Sequence, residues 1–362
     1  MKLIPQTSPY IRKNVSVKRM MLDVIIALLP VTIFAMVQNG WNGIYVFITS
    51  IVAMLTVELC CHMIIKWPKE LKFKELFTKE GFKKVKATYT VNNITAPLIS
   101  ALIYALIMPA GTSFYVVLIG AILGMLIGKM LFGGLGSNIF NPAAVGRIIV
   151  SICFSLSYDN GGVDVVAGAT PLGHTNGNLS AMHYDMLDMF IGNIPGCMGE
   201  VSAALILLGG VYLFARRSAD LRSCLSYLLS FAVVMIVACI SFNVEYDSGN
   251  IFDMWLYQML AGGLLFGAVF MITDPVTSPT TGYGRIVFGT IAGCITALIR
   301  VCGALPEGVA FSILIANMLA PCIDHFMRGR PRGYSWKQIL GLVLGVALIC
   351  VVVSASVMGG WF

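Results

Sequence analysis

One short segment of the chain combines a carboxylate, small residues and a hydroxyl in an order that could serve covalent chemistry. It reads DVVAGATPLGHT and runs from Asp164 to Thr175. Because Gly168 and Ala169 precede Thr170, the Thr170 hydroxyl is sterically open, and another enzyme could modify it. A small-residue run that ends in Thr-Pro is also typical of an ordinary turn. Both interpretations stay open on spacing alone.

Ionisable side chains inside or beside apolar segments form a second set of candidates. Such side chains are costly in a membrane unless they pair, face water or snorkel to its surface. Glu58 and Lys129 lie deepest in apolar sequence, and they could pair or line an ion path. Most of the others lie close to a predicted helix end, where snorkelling explains them: Asp23, Arg147, Glu200, Asp274, Arg300, Glu307 and Asp324.

The ten cysteines are scattered through the chain, and none form a CxxC pair. Their spacing predicts neither a metal cluster nor a disulfide framework held by this chain alone. They are interpreted as small apolar residues of the interior. The sequence predicts no metal ligands and no catalytic residue.

The elements that must position all these residues are membrane helices. Of 362 residues, 58% are hydrophobic and 11% are charged, against roughly 25% charged in soluble domains. A span needs about 20 apolar residues, so the composition predicts an all-α polytopic protein in a lipid bilayer. Ten or eleven transmembrane helices are expected, some broken or re-entrant, at about 20–39, 42–65, 94–109, 113–132, 142–157, 200–215, 223–241, 255–272, 286–304, 308–326 and 337–358.

The distribution of charge predicts the sidedness of these helices. The net charge of +7 is interpreted as a topology signal and not as a nucleic-acid site, because basic residues beside spans stay cytoplasmic. Basic residues concentrate in the N-terminal arm and in segments 66–90, 216–222 and 328–337, whereas loop 158–199 contains four Asp and no Lys or Arg. Loop 158–199, with Thr170, is therefore expected outside the cytoplasmic membrane. Segment 66–90 fits either an interfacial amphipathic helix or a solvated loop.

The segment around Thr170 resembles the flavinylation motif, Asp-x-x-(Ser/Thr/Ala)-Gly-Ala-(Thr/Ser), of the RnfD and NqrB family. These proteins are membrane subunits of sodium- or proton-translocating redox complexes. In that family a flavin transferase joins the phosphate of FMN to the Thr hydroxyl. The resemblance implies that Thr170 carries FMN and that Asp164, Gly168 and Ala169 belong to the recognised motif. Ala167 departs from the commoner Ser.

Two further blocks resemble the same family. FGGLGSNIFNPAAVGR (132–147) resembles its Gly-rich break before an Asn-Pro-Ala helix start, and TDPVTSPTTGYGR (273–285) resembles its Asp-Pro-x-Thr-x-Pro segment. Taken alone, the first also fits a tight interhelix turn and the second a proline-rich cytoplasmic loop. NNITAP (92–97) and TDPVTSP (273–279) each precede two helices and lie near 180 residues apart, an internal echo typical of repeats with broken helices.

The resemblance implies two inverted five-helix repeats. The first occupies 1–157 with the basic loop 66–90, loop 158–199 carries the flavin, and the second occupies 200–362. It also implies a second, non-covalent flavin, riboflavin, whose residues the sequence does not assign.

The leading hypothesis is the D-type subunit of an Rnf ion-translocating ferredoxin:NAD oxidoreductase, a translocase subunit that is not catalytic alone. Its first span begins within about 20 residues, which fits RnfD better than the longer NqrB. Expected partners are the other Rnf subunits (A, B, C, E and G types) and a flavin transferase. The alternatives are an NqrB-like subunit of a Na+-translocating NADH:quinone reductase, a secondary transporter without redox chemistry, and a structural scaffold for redox partners.

Overall fold

The computed structural model describes residues 16–65, 89–154, 179, 184–194, 196–200, 202–246, 250–303, 308–327 and 336–359. Within these ranges the regular structure is helical, with no β-strand. The helices are α1 Val17–Ile65, α2 Asn92–Leu106, α3 Phe114–Gly128, α4 Pro142–Cys153, α5 Met186–Ile191, α6 Ala203–Arg216, α7 Leu221–Tyr246, α8 Ile251–Leu260, α9 Leu264–Phe266, α10 Gly282–Cys302, α11 Val309–Phe326 and α12 Trp336–Met358.

Helix α1 contains the first two predicted spans. Its 49 residues would extend roughly 74 Å if straight, more than twice the roughly 30 Å hydrocarbon core. Gly40 interrupts it with φ 54° and ψ −136°, a left-handed conformation that favours glycine. The kink at Gly40 therefore divides α1 within the two-residue gap between the predicted helices 20–39 and 42–65.

A second break separates α8 from α9. Helix α9 continues as a π-helical turn, Gly267–Met271, and the two halves meet at 56°. The buried Arg300 guanidinium donates to the Gln258 carbonyl oxygen at 2.7 Å and lies 4.8 Å from the Phe231 ring centre. Its positive charge therefore stabilises the carbonyl end of α8.

Ten or eleven transmembrane helices are predicted, some of them broken or re-entrant, and only part of them are long enough to cross a membrane as one continuous helix. In the described ranges, six helices are long and apolar enough, or seven if the bent pair α8–α9 counts as one span. One reason is that the single helix α1 covers two predicted spans. The other is that α2, α4 and α6 have only 15, 12 and 14 residues. All eleven predicted apolar segments are nevertheless helical, and the protein is a multi-pass α-helical membrane protein.

Close glycine contacts hold the bundle together. A Cβ atom added at Gly124 of α3 would lie 2.7 Å from the Pro142 carbonyl oxygen and 2.8 Å from Gly146 Cα of α4. Such small residues let helices approach closely in a bilayer. On the surface, α12 leaves most of its apolar side chains exposed, as expected for a face in contact with lipid. The expected pseudo-two-fold relation of the two halves stays a prediction.

Candidate functional site

A central cavity forms where the recurring sequence blocks meet. Helix α2, whose first residues are the echo block 92–97, contributes Ile99 and Ser100, the Gly-rich block contributes Asn138, and the Asp-Pro block contributes Asp274. The cavity is open on one side, and the empty space between its lining atoms and across this opening amounts to about 830 Å³. The polar residues of its wall are Ser100, Lys129, Asn138, Asn141, Ser218, Thr273 and Asp274. Apolar walls with a few convergent polar groups are typical of ligand-binding pockets.

The Gly-rich block reaches the cavity through a tight turn. Gly133, Gly134 and Gly136 have φ values of 102°, 91° and 89°, which other residues rarely adopt. The turn ends at Asn141, whose side-chain oxygen accepts from the Ala143 backbone N–H at 3.0 Å and caps α4. Pro142 then occupies the first helical turn, where its missing N–H costs little. The prediction of a glycine break that leads into an Asn-Pro helix start is confirmed.

The Asp-Pro block forms the opposite wall. Asp274 accepts from the Val276 backbone N–H at 3.2 Å and from the Thr277 hydroxyl at 3.3 Å. Asp324 of α11 accepts from the Thr280 N–H at 3.0 Å, and the Thr281 hydroxyl caps α10 by accepting from the N–H of residue 284 at 3.0 Å. The block is therefore a structured break that places Asp274 at the cavity.

A buried ion pair lies beside the cavity. Lys129 Nζ is 2.8 Å from Glu58 Oε2, and each side chain is only 3% exposed. Lys129 follows α3 immediately and lines the cavity, whereas Glu58 lies on α1. The prediction that these two deepest charges could pair is confirmed.

A second buried carboxylate, Asp23, bonds a residue of the cavity wall. Asp23 is 3% exposed and accepts from the hydroxyls of Ser218 and Tyr212 and from the Arg216 guanidinium, which lies 3.2 Å away. Ser218 itself lines the cavity. Snorkelling is therefore the wrong explanation for Asp23, since internal partners satisfy its charge. Snorkelling does not explain Arg300 either, because an internal hydrogen bond to the Gln258 carbonyl oxygen satisfies its charge.

A side-chain contact joins His62 of α1 to the first turn of α2. Asn93 Nδ2 lies 3.0 Å from His62 Nδ1, and Asn93 Oδ1 accepts from the Thr90 hydroxyl. The contact ties α1 to the helix that supplies Ile99 to the cavity.

The predicted flavin-attachment residues Asp164, Gly168, Ala169 and Thr170 lie outside the described residues. So do the basic segments 66–88 and 328–335, the N-terminal arm and Glu307. The described residues on either side show where this loop is attached. Helix α4 begins at the cavity and, at 12 residues, ends roughly 18 Å farther along its axis, directly before the loop.

The chain returns from the loop onto the end of α2. The Met198 and Gly199 N–H groups donate to the Met108 and Leu106 carbonyl oxygens at 3.2 and 2.7 Å. A Cβ atom at Gly199 would lie 2.5 Å from Leu106 Cβ. The two ends of the loop are therefore attached to α4 and α2, which both contribute to the cavity wall. On each helix the attachment point is the end that lies away from the cavity.

Sequence reasoning identified Glu58, Lys129 and Asp274 as candidates, and the structure brings Lys129 and Asp274 to one cavity. It missed Asn138 and Ser218. The Asn-Pro block contained a signal for Asn138, because an amide in a glycine-rich break before a helix is free to face a ligand. Ser218 gave no signal, since a lone Ser in a basic turn is common. In the described ranges no group of three His, Cys, Asp or Glu residues could hold a metal ion.

Comparison with known proteins identifies the family of this chain. The model of the NQR2, RnfD, RnfE family matches residues 4–333. The D subunit of the proton-translocating ferredoxin:NAD(+) oxidoreductase complex of Clostridium ljungdahlii is 31% identical, over 88% of this chain and 93% of the relative. The D subunit of the ion-translocating oxidoreductase complex of Stutzerimonas stutzeri is 32% identical, over 88% and 92%. The B subunit of the Na(+)-translocating NADH-quinone reductase of Stutzerimonas stutzeri strain A1501 is 30% identical, over 90% and 87%. Because the family match spans both the cavity and the loop before α5, the chain belongs to the NQR2, RnfD, RnfE family.

Proposed function

We propose that this chain is the D-type membrane subunit of an ion-translocating ferredoxin:NAD oxidoreductase complex. The support is its similarity to two D subunits over about nine-tenths of its length. The proposal places the chain in the cytoplasmic membrane, with the other Rnf subunits as electron-transfer partners. The chain alone performs no turnover. It holds flavins in the electron relay and couples that relay to Na+ or H+ movement.

The first proposed flavin is FMN, joined through its phosphate to Thr170. The motif formed by Asp164, Gly168 and Ala169 supports this assignment, and a flavin transferase would install the group. Anchoring of the loop at Phe154 and Gly199 supports a defined position for the flavin. That position is at the end of α4 away from the central cavity, on the outer side of the membrane.

The second proposed flavin is riboflavin, held without a covalent bond in the central cavity. The observation that carries this proposal is the meeting of the Gly-rich and Asp-Pro blocks at one pocket. Asn138 and Asn141 offer amide donors and acceptors that suit the edge of a flavin ring, and Ile99 and Phe270 offer apolar surface for its faces. A bound flavin supplies one-electron transfer, and the protein positions it and tunes its potential.

Covalent attachment is tested on full-length protein co-expressed with a flavin transferase. The parent should give a fluorescent band on a denaturing gel, and Thr170→Val should give none. Thr175→Val is the matched control in the same loop and should keep the band. Fluorescence that persists in Thr170→Val would disprove the attachment site.

The cavity assignment is tested in the Thr170→Val background, where any flavin that copurifies is non-covalent. We expect acid extraction to release riboflavin, and Asn138→Leu should reduce its amount at least severalfold. Solute uptake by flavin-free protein in liposomes would instead favour the transporter alternative. Electron transfer from NADH to quinone, with no ferredoxin activity, would favour the NqrB-like alternative.

A further inference from the structure

The charges that face the central cavity do not balance. Among its lining residues, which all belong to the described ranges, only Lys129 and Asp274 are charged. At first sight these two would neutralise each other. Their hydrogen bonds go to other groups, however, so these two charges attract each other only through space.

The charge of Lys129 is already neutralised from outside the cavity. Its ammonium group lies 2.8 Å from the Glu58 carboxylate, in a pair that is 3% exposed on each side. A pair this close presents little net charge to a ligand that lies farther away. Lys129 can therefore donate a hydrogen bond to a ligand without making the cavity positive.

Asp274 has only uncharged hydrogen-bond donors. Both of them, the Val276 N–H and the Thr277 hydroxyl, belong to its own turn. The ion pairs of the described residues are Lys129–Glu58, Arg216–Asp23 and Arg285–Asp220. None of them includes Asp274, so the cavity wall carries one carboxylate without a paired cation.

The neighbouring Asp23 does not change this balance. Arg216, Ser218 and Tyr212 compensate it, and it does not line the cavity. A ligand in the cavity therefore meets one excess negative charge in a low-dielectric environment, where repulsion between like charges is strong. Hydroxyl and N–H groups of an uncharged ligand can instead donate to the Asp274 oxygens.

From this arrangement we infer that the cavity selects an uncharged, hydroxyl-bearing ligand and rejects its phosphate ester, with Asp274 as the residue that determines this specificity. The inference rests on the proposed non-covalent flavin, and it deepens that proposal by explaining selection of riboflavin over FMN. The two flavins share the ring and the ribityl chain, so the terminal phosphate is the only group that Asp274 must exclude.

The test uses full-length Thr170→Val protein in detergent, freed of non-covalent flavin and titrated with riboflavin or FMN by fluorescence quenching. In this parent, riboflavin should bind at least about tenfold more tightly than FMN, which corresponds to about 1.4 kcal/mol. Asp274→Asn should reduce the preference to less than about threefold. Asp274→Glu keeps the charge and should keep the preference.

Two further variants separate charge from folding. Glu58→Gln leaves Lys129 uncompensated, so it should improve FMN binding while Asp274 stays intact. Asp253→Asn, a matched change in the first turn of α8 and away from the cavity, should leave the preference unchanged. Size-exclusion profiles verify that each variant is folded.

Equal affinity for the two flavins in the parent, or an unchanged preference in Asp274→Asn, overturns the inference while leaving the flavin site in place. Preferential binding of FMN overturns it as well, because Lys129 and not Asp274 would then dominate the field in the cavity. Absence of binding by either flavin in the folded parent overturns the proposed cavity flavin itself, and the selectivity inference with it.

Discussion

Glu58 and Lys129 can be buried together because each neutralises the other. Removing one partner leaves an uncompensated buried charge, which typically costs about 3–5 kcal/mol. We expect Lys129→Met to lower stability by that amount, and the double variant Glu58→Gln, Lys129→Met to be more stable than Lys129→Met alone. Denaturation in detergent measures this coupling. Equal losses in the single and double variants would show that the pair contributes packing rather than charge compensation.

Asp220 gives a pH-dependent contribution outside the membrane-spanning helices. Burial acts to raise the pKa of its carboxyl, but the Arg222 backbone N–H and the Arg285 guanidinium outweigh burial and hold the pKa below its usual 3.8. A carboxyl with a lowered pKa stabilises the fold above pH 3.8, and this contribution is lost as the pH falls through the folded-state pKa.

The stability difference between the parent and Asp220→Asn should therefore be constant from pH 7 to about 5, where the carboxyl is ionised in both folded and unfolded protein. It should disappear in acid below pH 3.8. Melting temperatures in detergent at stepped pH measure it. A difference that grows as the pH falls would contradict the assignment.

The sequence could identify which residues were unusual and could suggest one pair, Glu58 with Lys129, but it could not identify the partners of Asp23. An acidic side chain in an apolar run is conspicuous, which is why Glu58 and Asp23 were recognised as candidates. Asp23 meets Ser218 across 195 positions of the chain, a pairing that local patterns do not contain. Snorkelling was therefore the wrong explanation for Asp23, because helix ends from distant segments surround it.

At the scale of helices, close packing of α3 on α4 depends on glycine. Alanine at Gly124 would place its methyl group within 3 Å of the backbone at Pro142 and Gly146. Overpacking of this kind costs about 1–3 kcal/mol, and we expect Gly124→Ala to lower stability by that amount in a detergent melt. Gly345→Ala on α12 is the control. It meets no atom within 4 Å and should be neutral or slightly stabilising.

Helix positions could be predicted from apolar runs, because every predicted segment is helical. Their lengths could be predicted less well. Hydropathy measures how apolar a segment is. A full span and a short helix buried among other helices are equally apolar, so hydropathy does not distinguish their lengths. Helices α2, α4 and α6 are therefore shorter than a full span although their sequences are just as apolar. At the bend between α8 and α9, the Gln258 carbonyl oxygen accepts from Arg300, which is 42 positions away in the chain.

At the scale of the whole molecule, the cavity unites segments from both halves of the chain. The two blocks of the internal echo, 92–97 and 273–279, both contribute to the cavity wall, the first through Ala96 and the second through Thr273 and Asp274. The shape of the cavity could not be predicted, because it also requires the turn at Ser218. Since α4 begins at the cavity and ends before the loop that contains Thr170, the two proposed flavins would lie toward opposite ends of α4.

This arrangement makes sidedness a testable property of the whole chain. Alkaline phosphatase needs disulfides and so is active only outside the cytoplasm. Fused after Thr175 it should be active, because that acidic loop is expected outside. Fused after Ala219, beside the basic turn at the mouth of the cavity, it should be inactive. Immunoblots that show equal amounts of the two fusions control for expression. Activity only after Ala219 would reverse the orientation and place the Thr170 flavin in the cytoplasm.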